Sequence, residues 1–450
     1  MNSQGINSHL SDSRLRHLKK LSSVKGDKNI KFLTPAVYSG GWCPMRAACN
    51  IVEGIEGLSY MLVGMPECAT HSRGMTSMPE GPGGEARLLY VLDANEVIFG
   101  CREGVIEALL RLDKEGIRAL LMIATCVTDL IGEDFEAIIS EVQPKIKMKL
   151  SYVTLGQFKN FAAPIGTSKV AEALATLMEP PQESEISDDK QVNALFIEPW
   201  RNKNTPTEFP LIVDALKQRG VSVRALTGDS PLDNYLLAPN AVCNLVLSDY
   251  TLSLAKKIEK NFSVKRIDLH SAFSVEEIDL TYLTLSKMLD ISLEGAFDEW
   301  RTRAVELEKR AEIELRGLKY VMLTSVDMPL ALARYLGRFG MEPILIHMLD
   351  FLPGDEENRA ALNEMGYDPP ICRIMHQDHD IELIRTLCPD ICFGYIKEEI
   401  PGLKVSREMG DFFGLTGYER TAGILSRLFS VLETGITPQG GFDIHGSAPL

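Results

Sequence analysis

The chain has 450 residues, 45% of them hydrophobic and 24% charged, and a formal net charge of −15. That length exceeds one ordinary domain and predicts about three. The acidic balance argues against a nucleic-acid partner, whose phosphates call for basic side chains, and no apolar run reaches the roughly 18 residues of a membrane span. Residues 1–29 are polar and basic and lack the apolar stretch of a signal peptide. They read as a flexible or peripheral arm, with a short helix around residues 15–21. Nine cysteines without a secretion signal predict a reducing compartment, and their odd number excludes a fully paired disulfide set. A cytoplasmic protein is the expectation.

The first domain spans residues 30–183. Apolar runs at 58–65, 88–92, 119–125 and 149–154 predict strands. Helical periodicity lies at 102–115, 134–141 and 167–178. Strands alternating with amphipathic helices define an α/β fold with a parallel sheet. Residues 179–190, acidic and Pro-rich, predict a linker. The second domain, residues 191–293, repeats the pattern, with strands at 192–197, 221–226, 244–247 and 264–269. Its helices fall at 207–219, 252–261 and 274–289, the last opened by the capping box of Ser274 and Glu277. The third domain, residues 297–434, opens on a charged helix at 297–316. Strands follow at 319–324, 343–347, 371–375 and 391–395, with helices at 329–339, 356–365, 380–387 and 418–433. Residues 435–450 form a tail rich in Gly and Pro. Neither G-x-G-x-x-G after a strand nor G-x-x-x-x-G-K-[ST] is present, so the chain is not expected to bind ATP itself.

Three cysteines stand at element ends in the first domain. Cys43, Cys68 and Cys126 are separated by 25 and 58 residues, which excludes the close pairs of a zinc finger. Cys43 precedes Pro44, a residue suited to the first turn of a helix, so it takes the N-cap position. A helix N-terminus favours the thiolate that binds metal. Cys68 and Cys126 each follow a predicted parallel strand at its carboxyl end, the edge where open α/β sheets bind ligands. On residue chemistry alone, two readings stay open: thiols packed as small hydrophobes, or ligands of a cluster completed by something else.

The stretch resembles the first domain of nitrogenase component 1 proteins. The matching residues are Cys43 with its Gly-Gly lead-in and Ala47, Gly64 with Glu67 and Cys68, Phe99-Gly100 with Glu103-Gly104, and Ala124-Thr125-Cys126 with Ile131-Gly132-Glu133-Asp134. The spacing is more similar to the β-type subunit than to the α-type. The resemblance implies three Rossmann-like domains, with parallel sheets flanked by helices. It implies that Cys43, Cys68 and Cys126 hold an iron–sulfur cluster, [4Fe-4S] or P-cluster-like, shared with a second, homo- or hetero-oligomeric subunit. A nitrogenase-reductase-like iron–sulfur ATPase is the implied electron donor. Around the cluster, Thr125 becomes a candidate hydroxyl donor to sulfur, Arg46 a candidate counter-charge and His71 a candidate proton relay. Catalytic residues are not assigned. Cys49 and Cys101 read as packing thiols. His376 and His379, with Asp378 and Asp380, are a weaker alternative as a mononuclear site.

One departure matters. Catalytic α-type subunits hold a second, larger cofactor through a cysteine after a strand of the second domain and a histidine in the third. Here the strand at 244–247 ends in Ser248, Cys243 lies upstream, and residues 402–437 contain no histidine. The resemblance thus implies a subunit that holds only the interface cluster and relays electrons from the reductase to a substrate or cofactor. A scaffold for metal-cofactor assembly is the first alternative, and a metal-free α/β small-molecule-binding protein the second.

Overall fold

The computed structural model describes residues 15–26, 29–33, 43–73, 84–157, 159, 164–181, 190–197, 209–323, 328–373, 377–394, 396, 400–406 and 414–435. The side chains of residues 71–73 and 377–380 lie outside that description. The chain divides into two compact units, Gly40–Asp268 and Met1–Ser39 with Leu269–Leu450. Two short strands near the amino end, β1 (Lys19–Lys20) and β2 (Lys31–Phe32), belong to the latter unit.

The unit Gly40–Asp268 contains two four-stranded sheets. The first comprises β3 (Ser59–Gly64), β4 (Arg87–Val91), β5 (Ala119–Ala124) and β6 (Lys149–Thr154), in the order β4-β3-β5-β6. All its pairings are parallel. β3 and β5 are buried along their whole length, which is why they read as unbroken apolar runs instead of alternating ones. Their residues still divide by face: Tyr60, Leu62, Leu121 and Ile123 enter one apolar cluster, while Met61, Val63, Leu120 and Met122 enter another. The second sheet comprises β7 (Gln191–Phe196), β8 (Ser222–Thr227), β9 (Cys243–Val246) and β10 (Lys265–Asp268), in the order β10-β9-β7-β8, again parallel. Leu195, Leu226 and Val246 join the same cluster as Leu121 and Ile123. In each sheet the strand order reverses beside its first strand, between β3 and β5 and between β7 and β9. Ligand crevices of such folds open at that reversal, at the carboxyl ends of the strands.

The other unit carries β11 (Lys319–Met322), β12 (Glu342–His347), β13 (Pro370–Arg373), β14 (Ile391–Phe393) and β15 (Lys404–Ser406). Their order, β13-β12-β11-β14-β15, is the Rossmann-like 3-2-1-4-5 arrangement. The amino-terminal segment departs from the expected free arm. Lys19 and Lys20 pair antiparallel with Ile371 and Pro370, and Lys31 and Phe32 pair parallel with Cys372 and Arg373. Leu18, Leu21, Val24, Ile30 and Leu33 are buried. The physical reason is twofold: the β13 edge has unpaired backbone groups to satisfy, and the segment supplies apolar side chains at the matching spacing. Arg373, almost wholly buried, fastens the join: its guanidinium donates to the carbonyls of Ile30 (2.7 Å) and Leu349 (2.8 Å).

The capping box at Ser274 forms: Glu277 N–H donates to Ser274 Oγ at 3.2 Å, and Ser274 N–H to Glu277 Oε2 at 3.1 Å. The helix it opens, Val275–Leu289, was expected to close the second domain. It lies instead in the unit of the third sheet, where Tyr282 meets Phe297 and Tyr418 at ring distances of 4.9 and 5.4 Å. Its apolar face is matched by the helices Asp298–Glu314 and Gly417–Thr434. Residues 182–189 of the expected linker and residues 436–450 of the tail lie outside the described residues.

Candidate metal centre

The two cysteines that follow β3 and β5 flank the reversal point of the first sheet. Cys126 is the first residue of the helix Cys126–Ile131, with Thr125 as its N-cap. Cys68 lies inside the helix Pro66–Arg73, which Pro66 opens just after the strand. Cys43 is the N-cap of Pro44–Val52, with Pro44 in its first turn. The helices carrying Cys43 and Cys68 pack together, and both cysteines rest against the same apolar cluster. All three thiols are free and half-buried. They are close enough that Cys126 and Cys68 both act electrostatically on Cys43.

The N-terminal position was expected to favour a thiolate at Cys43. Burial outweighs it. Desolvation pushes this thiol up, the amides of Met45 and Arg46 pull it down, and the neighbouring Cys126 and Cys68 raise it further. The remaining cysteines differ in setting. Cys49, Cys101, Cys243, Cys372 and Cys392 are buried and Cys388 is exposed. Burial, then the Glu133 carboxylate, pushes Cys101 up to about 12, consistent with a packing thiol.

The approach of β3 to the Cys126 helix is unusually tight. A side chain at Gly64 would place its Cβ 2.0 Å from Thr125 Oγ1, so only glycine admits that contact. Thr125 Oγ1 donates to the Val63 carbonyl at 3.0 Å, and Thr128 Oγ1 to the Thr125 carbonyl at 3.1 Å. Thr125 therefore braces the two strand ends, its hydroxyl donating to a backbone carbonyl. Arg46 is half-buried and its backbone N–H donates to the Cys43 carbonyl at 3.1 Å. The His71 side chain lies outside the described residues, as do His376 and the side chains of Asp378, His379 and Asp380.

The second sheet repeats the bracing without the thiol. Ser248 Oγ donates to the Ile197 carbonyl at 2.9 Å, and Thr251 Oγ1 to the Ser248 carbonyl at 2.7 Å. The Thr125-x-x-Thr128 arrangement thus recurs as Ser248-x-x-Thr251, and the position of Cys126 is taken by the buried Asp249. Cys243 sits at the opposite, amino end of β9. Among the described residues, no three His, Cys, Asp or Glu side chains close on a single ion. The ligands of a multinuclear cluster bind different irons, so half-buried thiols near enough to act electrostatically on one another fit such a cluster.

Two features beside Cys126 escaped the sequence reading. Gln157 N–H donates to Cys126 Sγ at 3.4 Å; a backbone donor leaves no sequence signal. The helix Ala94–Phe99 was also missed, although the Asp93/Glu96 capping box announces it. It buries none of its residues and packs against the Cys126 helix. Together they expose Ile98, Phe99, Leu130 and Ile131, with Phe99 83% exposed.

The parallel sheets flanked by helices, each with its strand order reversing beside the first strand, define an α/β protein of Rossmann-like architecture. The chain belongs to the nitrogenase component 1 family: residues 43–433 match the family described as Nitrogenase component 1 type Oxidoreductase. It is similar to the nitrogenase iron-molybdenum cofactor biosynthesis protein NifE of Nostoc sp., with 24% identity over 71% of this chain and 65% of the relative. The chain thus spans just under two thirds of that protein's length. The NifE protein of Clostridium pasteurianum is 26% identical over 68% of this chain and 67% of its own. Among solved structures, nitrogenase Cp1 at pH 6.5 superposes with a TM-score of 0.63 over 89% of this chain and 94% of that one, at 14% identity. That likeness is one of fold. No helix among the described residues is long and apolar enough to cross a membrane.

Proposed function

We propose that this chain holds one side of an iron–sulfur cluster through Cys43, Cys68 and Cys126, that a second subunit supplies the other side, and that the assembly is a scaffold on which a metal cofactor is matured. The observation that carries the reading is a set of three half-buried thiols: Cys68 and Cys126 follow the strands that flank the reversal, and both lie near enough to act electrostatically on Cys43. Three thiols leave at least one iron of a four-iron cluster without a thiolate from this chain, and the apolar face of Ile98, Phe99, Leu130 and Ile131 beside Cys126 suits a protein partner. When bound, such a cluster supplies one-electron chemistry, its potential set by ligation, burial and hydrogen bonds to sulfur. The chain's own part is positional. Gly64 and Thr125 lock the ends of β3 and β5, and the starts of three helices carry the thiols, with Cys68 and Cys126 within electrostatic reach of Cys43.

A scaffold is favoured over a turnover enzyme for two reasons. The similar relatives are named for cofactor biosynthesis, and the strand-end position of the second sheet carries Asp249 where the first carries a cysteine. The second reading is an electron relay to a small substrate, and the family's oxidoreductase description favours it. In both, a separate ATP-dependent iron–sulfur reductase delivers the electrons, in keeping with the missing nucleotide motif, and the protein works in the cytoplasm.

Anaerobic purification with iron and sulfide analysis and EPR tests the site. Cys43→Ala, Cys68→Ala and Cys126→Ala are each expected to abolish or alter the cluster signal, while Cys49→Ala retains it. A normal cluster in all three variants would refute the ligand assignment. Release of a loaded cofactor to an apo-enzyme identifies the scaffold; sustained turnover of a small substrate with reductase and ATP identifies the relay.

A further inference from the structure

The turn after β6 is docked onto the Cys126 helix by contacts that the cluster reading leaves unused. It is closed by Lys159 N–H donating to the Gly156 carbonyl at 3.1 Å. Gly156 lies so near Asp129 that a Cβ there would stand 2.4 Å from Asp129 Oδ2. The Lys159 ammonium pairs with the Asp129 carboxylate, whose side chain is only 4% exposed, and reaches the Asp129 carbonyl at 3.4 Å. Asp129 is itself fixed in the helix, its N–H donating to the Thr125 carbonyl at 3.0 Å. Between Gly156 and Lys159, the Gln157 N–H meets Cys126 Sγ at 3.4 Å.

We infer that Asp129 and Lys159 are positioning residues: their ion pair clamps the turn so that the Gln157 amide is held on the Cys126 sulfur, where it sets the reduction potential of a cluster bound there. This rests on the cluster reading above. An N–H directed at a ligating sulfur stabilises the more electron-rich, reduced state, and so raises the potential. The clamp contributes through geometry; as a neutral pair, its two charges largely cancel at the sulfur.

That distinction gives the test. In reconstituted protein, the midpoint potential is measured for wild type, Lys159→Gln, Asp129→Asn, the double variant and Lys159→Arg. A clamp predicts that both neutralising variants shift the potential negative, that the double variant adds nothing further, and that Lys159→Arg restores the wild-type value. Direct charge effects predict opposite signs, negative for Lys159→Gln and positive for Asp129→Asn; that result overturns the proposal. Hydrogen exchange of the metal-free chain is read in parallel by mass spectrometry over residues 155–160. Exchange at least ten-fold faster in both variants is expected, and unchanged exchange overturns the clamp. Faster exchange with an unmoved potential reduces the pair to a structural role and overturns the tuning. A wild-type chain that takes up no iron even when assembled with its partner subunit overturns the cluster reading together with this one, whereas a loaded assembly with opposite shifts overturns this one alone.

Discussion

At Gly64, one absent methyl group decides whether the ends of β3 and β5 can meet. Gly64→Ala forces Cβ into Thr125 Oγ1, and overpacking of this kind costs about 1–3 kcal/mol. A lower urea midpoint with an unchanged slope is expected, together with weaker iron retention. Adding Thr125→Ala should recover part of the stability, since it removes the atom that is struck. His347 makes a second residue-level prediction. Burial in β12, and then the nearby Arg373 cation, push this imidazole down to about 3, so it stays neutral in the folded chain. An unfolded histidine titrates near 6.5. As pH falls below that value, the unfolded state takes up a proton that the folded state refuses, and stability drops until pH approaches 3. The loss by pH 5 is about 2 kcal/mol relative to pH 7. Denaturation midpoints across this range should fall less steeply in His347→Gln.

At the scale of elements, the join between the amino-terminal segment and β13 depends on Arg373. Arg373→Met leaves the Ile30 and Leu349 carbonyls without their donor, at a cost of roughly 2–3 kcal/mol. The expected readouts are a lower melting temperature and proteolytic cutting between residues 15 and 33 before the rest of the chain is cut. Which elements were legible in the sequence follows from their length and burial. β3 and β5 announce themselves because both faces are buried and every position is apolar or small. The strand β1 has two residues and β15 three, too few to display a period, so tertiary pairing alone creates them. The positions of Cys68 and Cys126 were readable from the strands they follow, and that of Cys43 from the Pro44 that opens its helix. Their settings were not: Cys68 turned out helical, the Thr125 hydroxyl went to a carbonyl, and the Gln157 contact is made by backbone. The capping box at Asp93 was readable and was passed over, since the helix behind it has no buried face to give it a hydrophobic period.

At the scale of the whole molecule, the net charge of −15 and the small apolar face beside the cysteines do different work. Net charge of one sign repels like copies and steers encounters; a compact apolar patch supplies the adhesive core of an interface. Phe99→Asp is therefore expected to weaken association with the partner subunit at least ten-fold in sedimentation equilibrium. The shared cluster signal should fall with it, while the thermal stability of the isolated chain stays near wild type, since Phe99 is already in solvent. The segment that completes the third sheet has a further consequence, in the timing of synthesis. Ile30 emerges from the ribosome 343 residues before the Arg373 that will hold it. Throughout that interval its apolar side chains and unpaired backbone are open to chaperones and proteases. The cysteine-bearing unit, finished at Asp268, can fold while the third sheet still lacks most of its strands. The early segment closes its sheet only after Arg373 has been made, which makes that step a natural place for folding to stall.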